Sequence, residues 1–478
     1  MQADLSEEVF AKLAHIVGST VESFKRELVR KMPKTDLHVH GEAGFLMDIP
    51  LARELAKRNS VQFPEYLVEE VKGNEKKERW KYRGTEKFSL FIDDFLTVSS
   101  LIRTAQDIED VCYAYYRSCY ENNVIFTLPG ISWVQCKDHM TMAEFHAAYN
   151  RALSRGTKDF GDVTVMRFRY YLERHLALNV FNDVLEALGS TPNPFVTTVG
   201  LAGDETGHPF SDFKTVYTKL KIDRKNPRYL WYFLTAHMER HSSAAIIYQA
   251  LELLDWIAHG WNAGDDDAVI ADMRKQGITF EVCPLSDTHC VSDKIPTVAA
   301  HTALPKLLAA GLATLNSDDP AFFGHIGEVY EQVSEQLGVS IAQLLQCTER
   351  GLNPASPQAL QEMQATRREL YDAHMKLVEV GKLKIDFFKI YLKLLPLVAE
   401  AKLDKELAQR FLAVDLKTST PVLATLSYAI PVECQALKRE FSGLLGIKEA
   451  MVKMTAEVKK DTEVMMLAFN ERHAVFAR

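Results

Sequence analysis

Pro33-Lys34-Thr35-Asp36-Leu37-His38-Val39-His40-Gly41-Glu42 is the stretch around which the chain is organised. In an extended strand, successive side chains point to opposite faces, so His38 and His40 project the same way and offer two imidazoles to one metal ion. A pair of histidines two apart also describes an ordinary polar strand end. What lies downstream decides between the two readings.

Short apolar segments at 123–130, 163–172, 195–202, 230–237, 255–260, 278–283 and 312–317 read as buried strands. Helical stretches at 89–121, 142–155, 176–189, 208–220, 241–254, 265–276 and 297–310 alternate with them. Together with the strand that ends at His40, this predicts eight strands, each followed by a helix. That is the pattern of a closed (β/α)8 TIM barrel of the α/β class, whose active-site groups gather at the C-terminal strand ends. An open doubly wound sheet is the alternative, and no glycine-rich phosphate loop supports it.

The flanks read differently. Apolar positions at Val9, Leu13, Ile16, Val17, Val21, Phe24 and Leu28 predict one amphipathic helix over 3–31 leading into Pro33, and a second helix is expected at 48–59. The run from Glu69 to Arg79 is densely charged and reads as a surface insertion near 60–88. Beyond about residue 355 the alternation stops. Periodic stretches at 358–381, 384–402, 404–413 and 434–472, with Pro396, Pro421 and Pro431 as breakers, predict a helical extension of four or five helices. The expected organisation is an N-terminal helix at 1–30, a barrel at 31–355 and an α-helical region at 356–478. For that last region, a cover for the barrel or a homo-oligomer contact is the expectation.

Composition narrows the function classes. A 478-residue chain with 47% hydrophobic and 25% charged residues can bury a large core, and no apolar run approaches the ~18 residues that cross a bilayer. Asp4, Glu7 and Glu8 stand where a secretory signal would carry basic residues, so a cytoplasmic protein without a membrane span is expected. Seven scattered cysteines suit reduced thiols, and Cys283 and Cys290 lack metal-ligand spacing. A net charge of -8 gives no electrostatic footprint for nucleic acid, which leaves a small-molecule partner.

Polar residues at the predicted strand ends carry the chemistry. The first strand gives His38 and His40, the fifth ends at His237, the sixth at His259-Gly260, and the eighth runs into Asp318-Asp319-Pro320. Three histidines and a carboxylate therefore converge from separate strands, with another histidine and another carboxylate beside them. Nitrogen and oxygen ligands without thiolate suit Zn²⁺, although ligand type alone does not separate it from Fe²⁺, Mn²⁺ or Co²⁺.

Six motifs, in order and at matching spacing, resemble adenosine deaminases over roughly residues 30–355: Met32 to His40, Leu201-Ala202-Gly203-Asp204-Glu205, Thr235-Ala236-His237, Ala258-His259-Gly260, Phe280-Glu281-Val282-Cys283-Pro284, and Leu315-Asn316-Ser317-Asp318-Asp319-Pro320. The resemblance implies a zinc-containing barrel of the amidohydrolase type, with His38, His40, His237 and Asp318 as metal ligands. It implies hydrolytic deamination of adenosine or a related aminopurine nucleoside, in which metal-activated water displaces ammonia. By the same resemblance His259 orients the water and handles its proton, Asp319 hydrogen-bonds the purine, and Gly203 offers backbone to the base. Glu42 matches an acid that accepts from the sugar hydroxyl, and an acid there repels a 5'-phosphate.

One motif departs. Where the family reads His-Ala-Gly-Glu, with the glutamate protonating the ring nitrogen, this chain reads His237-Met238-Glu239-Arg240. Arginine stays protonated and cannot cycle a proton. In one reading Glu239 takes over as the catalytic acid, since a residue two after His237 faces the same side of an extended chain. In a second, Arg240 is a substrate-binding charge for an anionic group on a different substrate. In a third, the acid is lost and the barrel is a non-catalytic binding protein. The loop Gly41-Glu42-Ala43-Gly44 and the segment Phe126-Thr127-Leu128-Pro129-Gly130 also depart from the family, whereas Arg174-His175 matches it. Among the other histidines, His241 stands out as a titratable group just after the altered motif.

Overall fold

The structure is a computed structural model. It describes residues 5–71, 77–83, 88–161, 163–238, 241–401 and 403–476.

Eight parallel staves form the barrel. The first is β1 (Lys34–Asp36). Between it and the second stave, β2 (Val68–Val71) and β3 (Lys77–Trp80) make a separate antiparallel hairpin with Val68 paired to Trp80. The charged insertion is thus anchored by Trp80, which is fully buried and donates its indole N–H to the Leu46 carbonyl at 2.6 Å. The charges at 72–76 lie outside the described residues.

The second stave is β4 (Val124–Thr127) continued by β5 (Gly130–Ile131), and the third is β6 (Val165–Met166) continued by β7 (Phe168–Glu173). Then follow β8 (Val196–Ala202), β9 (Phe233–Met238), β10 (Ile257–His259), β11 (Phe280–Val282) and β12 (Ala313–Leu315). Neighbours from β5 and β7 to β12 pair in chain order, and β1 pairs with β4. Closure comes just past the ends of β1 and β12. The Asp318 amide donates to the His38 carbonyl and the His40 amide to the Asp318 carbonyl, each at 2.8 Å. The sheet is therefore a (β/α)8 barrel, as the alternation predicts.

Helix boundaries depart from the sequence reading in several places. Residues 3–31 do not form one helix but two, Glu7–Val17 and Val21–Lys31. Gly18 closes the first in the left-handed region (φ 73°), and the Thr20 hydroxyl caps the second by accepting from the Ser23 amide. The stretch 89–121 likewise divides into Phe88–Ser99 and Ala105–Glu121, where Thr104 and Asp107 form a capping box.

The break expected between 381 and 384 is absent, since one helix runs from Arg368 to Glu400. Gly381 lies inside it because a Cβ there would stand 2.3 Å from Leu352, so glycine is what lets this helix approach Ile341–Leu352. Pro396 does not break the helix either. The last turn continues past it, with Leu394, Leu395 and Val398 buried, at the cost of one backbone hydrogen bond.

The C-terminal helices pack across the N-terminal ends of the barrel strands, opposite the face where chemistry gathers. Ser356 N donates to the Asp255 carbonyl at 3.3 Å, Arg367 Nη2 to Tyr229 at 2.7 Å and Lys384 Nζ to Val163 at 2.8 Å. Each acceptor lies just before a stave, so these helices satisfy carbonyls that the short strands leave unpaired. Phe387, Phe388, Phe411 and Phe441 join the same continuous apolar core as the barrel residues Leu37, Val199 and Leu315. Among the described residues, no helix is long and apolar enough to cross a membrane.

Candidate metal centre and active site

At the C-terminal mouth of the barrel, ligand atoms of His38, His40 and His237 lie within 4.8 Å of one another. His40 Nε2 is 3.2 Å from His237 Nε2 and 3.2 Å from Asp318 Oδ1, and His38 Nε2 is 3.4 Å from the same oxygen. The outer ring nitrogens fix the tautomers. His237 Nδ1 lies 2.7 Å from the Leu201 carbonyl, so that nitrogen carries the proton and Nε2 presents a lone pair. His38 Nδ1 is 2.9 Å from Glu281 Oε2, and its buried Nε2 has no hydrogen-bond partner. Three Nε2 atoms and a carboxylate oxygen thus face one point where nitrogen opposes nitrogen, a donor set that fits a divalent cation.

Buried residues behind the ligands hold them in place. Glu281, fully buried on β11, accepts from Trp256 Nε1 at 2.6 Å and from both terminal nitrogens of Arg169, with Nη1 at 2.9 Å. Arg169 Nη2 also donates to the Leu37 carbonyl at 3.1 Å. Asp36 accepts from the Ser317 amide at 3.0 Å and hydroxyl at 2.6 Å, which ties the approach to Asp318 back onto β1. Arg174 donates to the His237 carbonyl. Carboxylate–histidine–metal arrangements of this kind orient the ring and raise its basicity.

The backbone is strained here. Glu42 (φ 47°), His259 (φ 56°) and Asp318 (φ 62°) all occupy the left-handed region without being glycine, a conformation that costs about 1–3 kcal/mol each. His259 is followed by Gly260 at φ 75°, where a Cβ would meet Ile257 and the Phe280 ring at 2.6 Å. The His-Gly pair therefore turns the chain sharply at the end of β10 and keeps the imidazole at the mouth.

Electrostatics separate the rings. Burial drives His237 well below the usual imidazole range and His259 down to about 3, and it lowers His40 as well. Burial also opposes a charge on His38, yet the carboxylates of Asp318 and Glu281 prevail and hold it up at about 9. Despite burial, Asp318 is held well below the ordinary carboxylate range by the histidines around it.

A cavity of about 260 Å³ opens over this cluster. Asp318, Asp319, His259, Gly203 and Asp204 line it. Gly203 needs its left-handed backbone (φ 98°). Two further carboxylates line it. Glu42 accepts from Tyr149 Oη at 2.9 Å and from the Ser132 amide at 3.3 Å, and burial raises its pKa to about 8. Glu173 accepts from Ser132 Oγ at 2.7 Å and Gln135 Nε2 at 3.0 Å. Phe91 and Phe95 of the helix Phe88–Ser99 form an apolar cover.

The structure therefore brings His38, His40, His237, Asp318, His259, Asp319, Glu42 and Gly203 to one place. Glu239 and Arg240 lie outside the described residues. His241 turns to Thr206 Oγ1 at 3.2 Å and does not line the cavity. The Cys283 sulfur lies near His38, His259 and Asp318, but burial raises its thiol well above the ordinary range, which disfavours the thiolate a ligand needs.

Sequence reasoning passed over the roles of Glu281, Arg169, Glu173, Asp287 and His301. A charged residue inside a predicted buried strand, as at Arg169 and Glu281, is the signal that would have found the first two.

Residues 33–370 match the family described as adenosine deaminase. The adenine deaminase of Wolinella succinogenes is 29% identical over 327 residues, covering 67% of this chain and 91% of that protein. Among solved structures, an amidohydrolase from Burkholderia ambifaria with bound Zn superposes with a TM-score of 0.59 at 18% identity, over 75% of this chain and 95% of that one. An Arabidopsis ADAL structure complexed with GMP has a TM-score of 0.55 at 16% identity, over 73% and 98%.

Proposed function

The chain belongs to the adenosine deaminase family, and from that premise we propose that it is a zinc-dependent hydrolytic deaminase of adenosine or a related aminopurine nucleoside. The observation that carries this reading is the convergence of His38, His40, His237 and Asp318 beside a cavity that His40, His237, Asp318, His259 and Asp319 line. The four ligands would hold Zn²⁺. When bound, such an ion lowers the pKa of water to about 7 and so makes hydroxide available near neutral pH.

The protein's own groups do the rest. His259, kept neutral by burial, accepts the proton of the attacking water. Asp319 hydrogen-bonds the purine and Gly203 offers backbone to it, which hold the amino-bearing carbon over the floor. Hydroxide adds to that carbon as the ring nitrogen is protonated, the amino group takes the proton held by His259 and leaves as ammonia, and the hydroxyl proton returns to the ring-protonating acid as the carbonyl forms. Glu239 is the proposed donor of the proton to the ring.

Glu173 at the cavity wall supports a nucleoside over a nucleotide, because a 5'-phosphate would meet like charge there, while Glu42, raised to about 8, stays protonated near neutral pH and serves as a hydrogen-bonding group. A second reading, favoured by Arg240 at the family's acid position, is an altered substrate or a barrel without turnover.

Ammonia release from adenosine by the zinc-loaded protein, with His237→Ala as blank, tests the proposal. Release that disappears in the variant supports it. No release with zinc still bound rejects adenosine and favours the second reading.

A further inference from the structure

Beside His259 lies a buried pair that the reaction as described does not use, one member of which, Asp287, also lines the cavity. Asp287 belongs to the short helix Pro284–Cys290 after β11, and His301 precedes the helix Ala303–Ala310. Asp287, His301 and His259 are all buried. The Leu304 amide donates to His301 Nδ1 at 3.2 Å, so that nitrogen holds a lone pair and the ring proton resides on Nε2. Nε2 in turn lies 3.1 Å from Asp287 Oδ2 and donates to it. A backbone amide thereby fixes the tautomer of His301, and His301 fixes the orientation of the carboxylate. The other oxygen, Asp287 Oδ1, faces His259 Nδ1 at 3.9 Å. On the opposite side of the same ring, His259 Nε2 is 4.0 Å from Asp318 Oδ2.

We propose that Asp287, held by His301, is a positioning residue that sets the tautomer of His259, keeping the ring proton on Nδ1 so that the Nε2 lone pair faces the cavity floor. The logic is that of a carboxylate behind a catalytic imidazole. It does not take the proton itself, but it decides which nitrogen is basic and stabilises the imidazolium when one forms. At 3.9 Å the two groups are in electrostatic contact, and a shift of about 1 Å brings them to hydrogen-bond distance. His301 occupies Asp287 Oδ2, which leaves Oδ1 turned toward the imidazole, and a buried carboxylate is stabilised by a donor there. The inference rests on the proposed role of His259 as the base, and its first readout does not require turnover.

That readout is the ring-nitrogen chemical shifts of ¹⁵N-histidine in the zinc-loaded protein, with His259 assigned by a His259→Gln variant. The expected result is Nδ1–H for His259 in the wild type, and a shift toward the Nε2–H tautomer in Asp287→Asn. An Nε2–H tautomer in the wild-type protein overturns the proposal even if Asp287→Asn does not fold. So does an unchanged tautomer in a folded Asp287→Asn.

If adenosine is turned over, kcat in Asp287→Asn should fall about 10–100-fold with KM within about threefold. His301→Gln, whose amide can still donate to Asp287, should retain most of kcat, whereas His301→Leu should not. A KM effect alone, or equal losses in both His301 variants, would mean that the pair only holds the loop together. Absence of turnover with the expected tautomers would sink the deaminase reading while leaving this one standing.

Discussion

His40 donates its backbone amide to the carbonyl of Asp318 at 2.8 Å, and the His40 imidazole stands 3.2 Å from the Asp318 carboxylate. The hydrogen bond that closes the barrel and a contact within the candidate metal centre therefore join the same two residues. Barrel closure and ligand geometry are coupled, so a disturbance of either should be felt by the other.

Glu281 is where that coupling is most open to test. Replacing it with Gln removes the charge and leaves one acceptor oxygen for His38, Arg169 and Trp256, so that the orientation of His38 and the pairing of Arg169 are no longer both kept. Zinc affinity should fall about 10–100-fold, read by competition with a chromophoric chelator well below the unfolding temperature. Chelation of the wild-type protein should lower its Tm by more than it lowers that of Glu281→Gln.

Glu239 should act as the ring-protonating acid. Glu239→Gln is expected to reduce ammonia release about 10²–10⁴-fold without loss of zinc, measured by coupled assay and metal analysis on the same sample. If activity persists, the triple change Met238→Ala, Glu239→Gly, Arg240→Glu should reveal whether restoring the family acid raises it.

Glu173 should set the preference for nucleoside over nucleotide. In Glu173→Gln the ratio of kcat/KM for AMP to that for adenosine should rise about 10–100-fold as one like charge is removed. A steady-state comparison of the two substrates gives the answer, and an unchanged ratio would show that Glu173 does not meet the 5' position.

Acid should destabilise the protein through His146, buried on the helix Met142–Phe160, where burial lowers its pKa to about 4. The unfolded value is near 6.5, so between those pH values the unfolded chain binds more protons and stability falls as pH falls. His146→Leu should lose about 2 kcal/mol less stability than the wild type between pH 7 and pH 5, as urea unfolding at the two pH values would show.

At the opposite end of the barrel, Arg224 Nη1 contacts both oxygens of Asp255 at 3.0 and 2.9 Å, and Asp255 Oδ2 also accepts from the Leu234 amide at 2.8 Å. Removing the carboxylate leaves the buried Arg224 guanidinium with Glu362 as its remaining partner and the Leu234 amide without an acceptor. Asp255→Ala should cost about 3 kcal/mol in denaturant unfolding, with zinc content unchanged once the protein is folded.

The sequence by itself determined the parts that depend on local pattern. Apolar runs of strand length alternating with helical periodicity specified eight staves within a few residues of their observed limits, and polar residues at the strand ends named the groups that the structure gathers at one mouth. Helix interruptions at Gly18 and Thr104 were also written there, in capping residues that a reading of apolar periodicity overlooked. Only the tertiary structure decided the rest. Whether Gly381 ends a helix depends on Leu352 lying against it, and whether Pro396 is tolerated depends on the burial of its neighbours. Which nitrogen of His237 carries the proton is set by the Leu201 carbonyl on another strand, and the Asp287–His301 pair exists only because two segments distant in sequence from His259 meet beside it. Periodicity and turn chemistry act over a few residues and are legible in one dimension. Partners across a closed barrel are fixed by register and closure, which no single stretch of the chain contains.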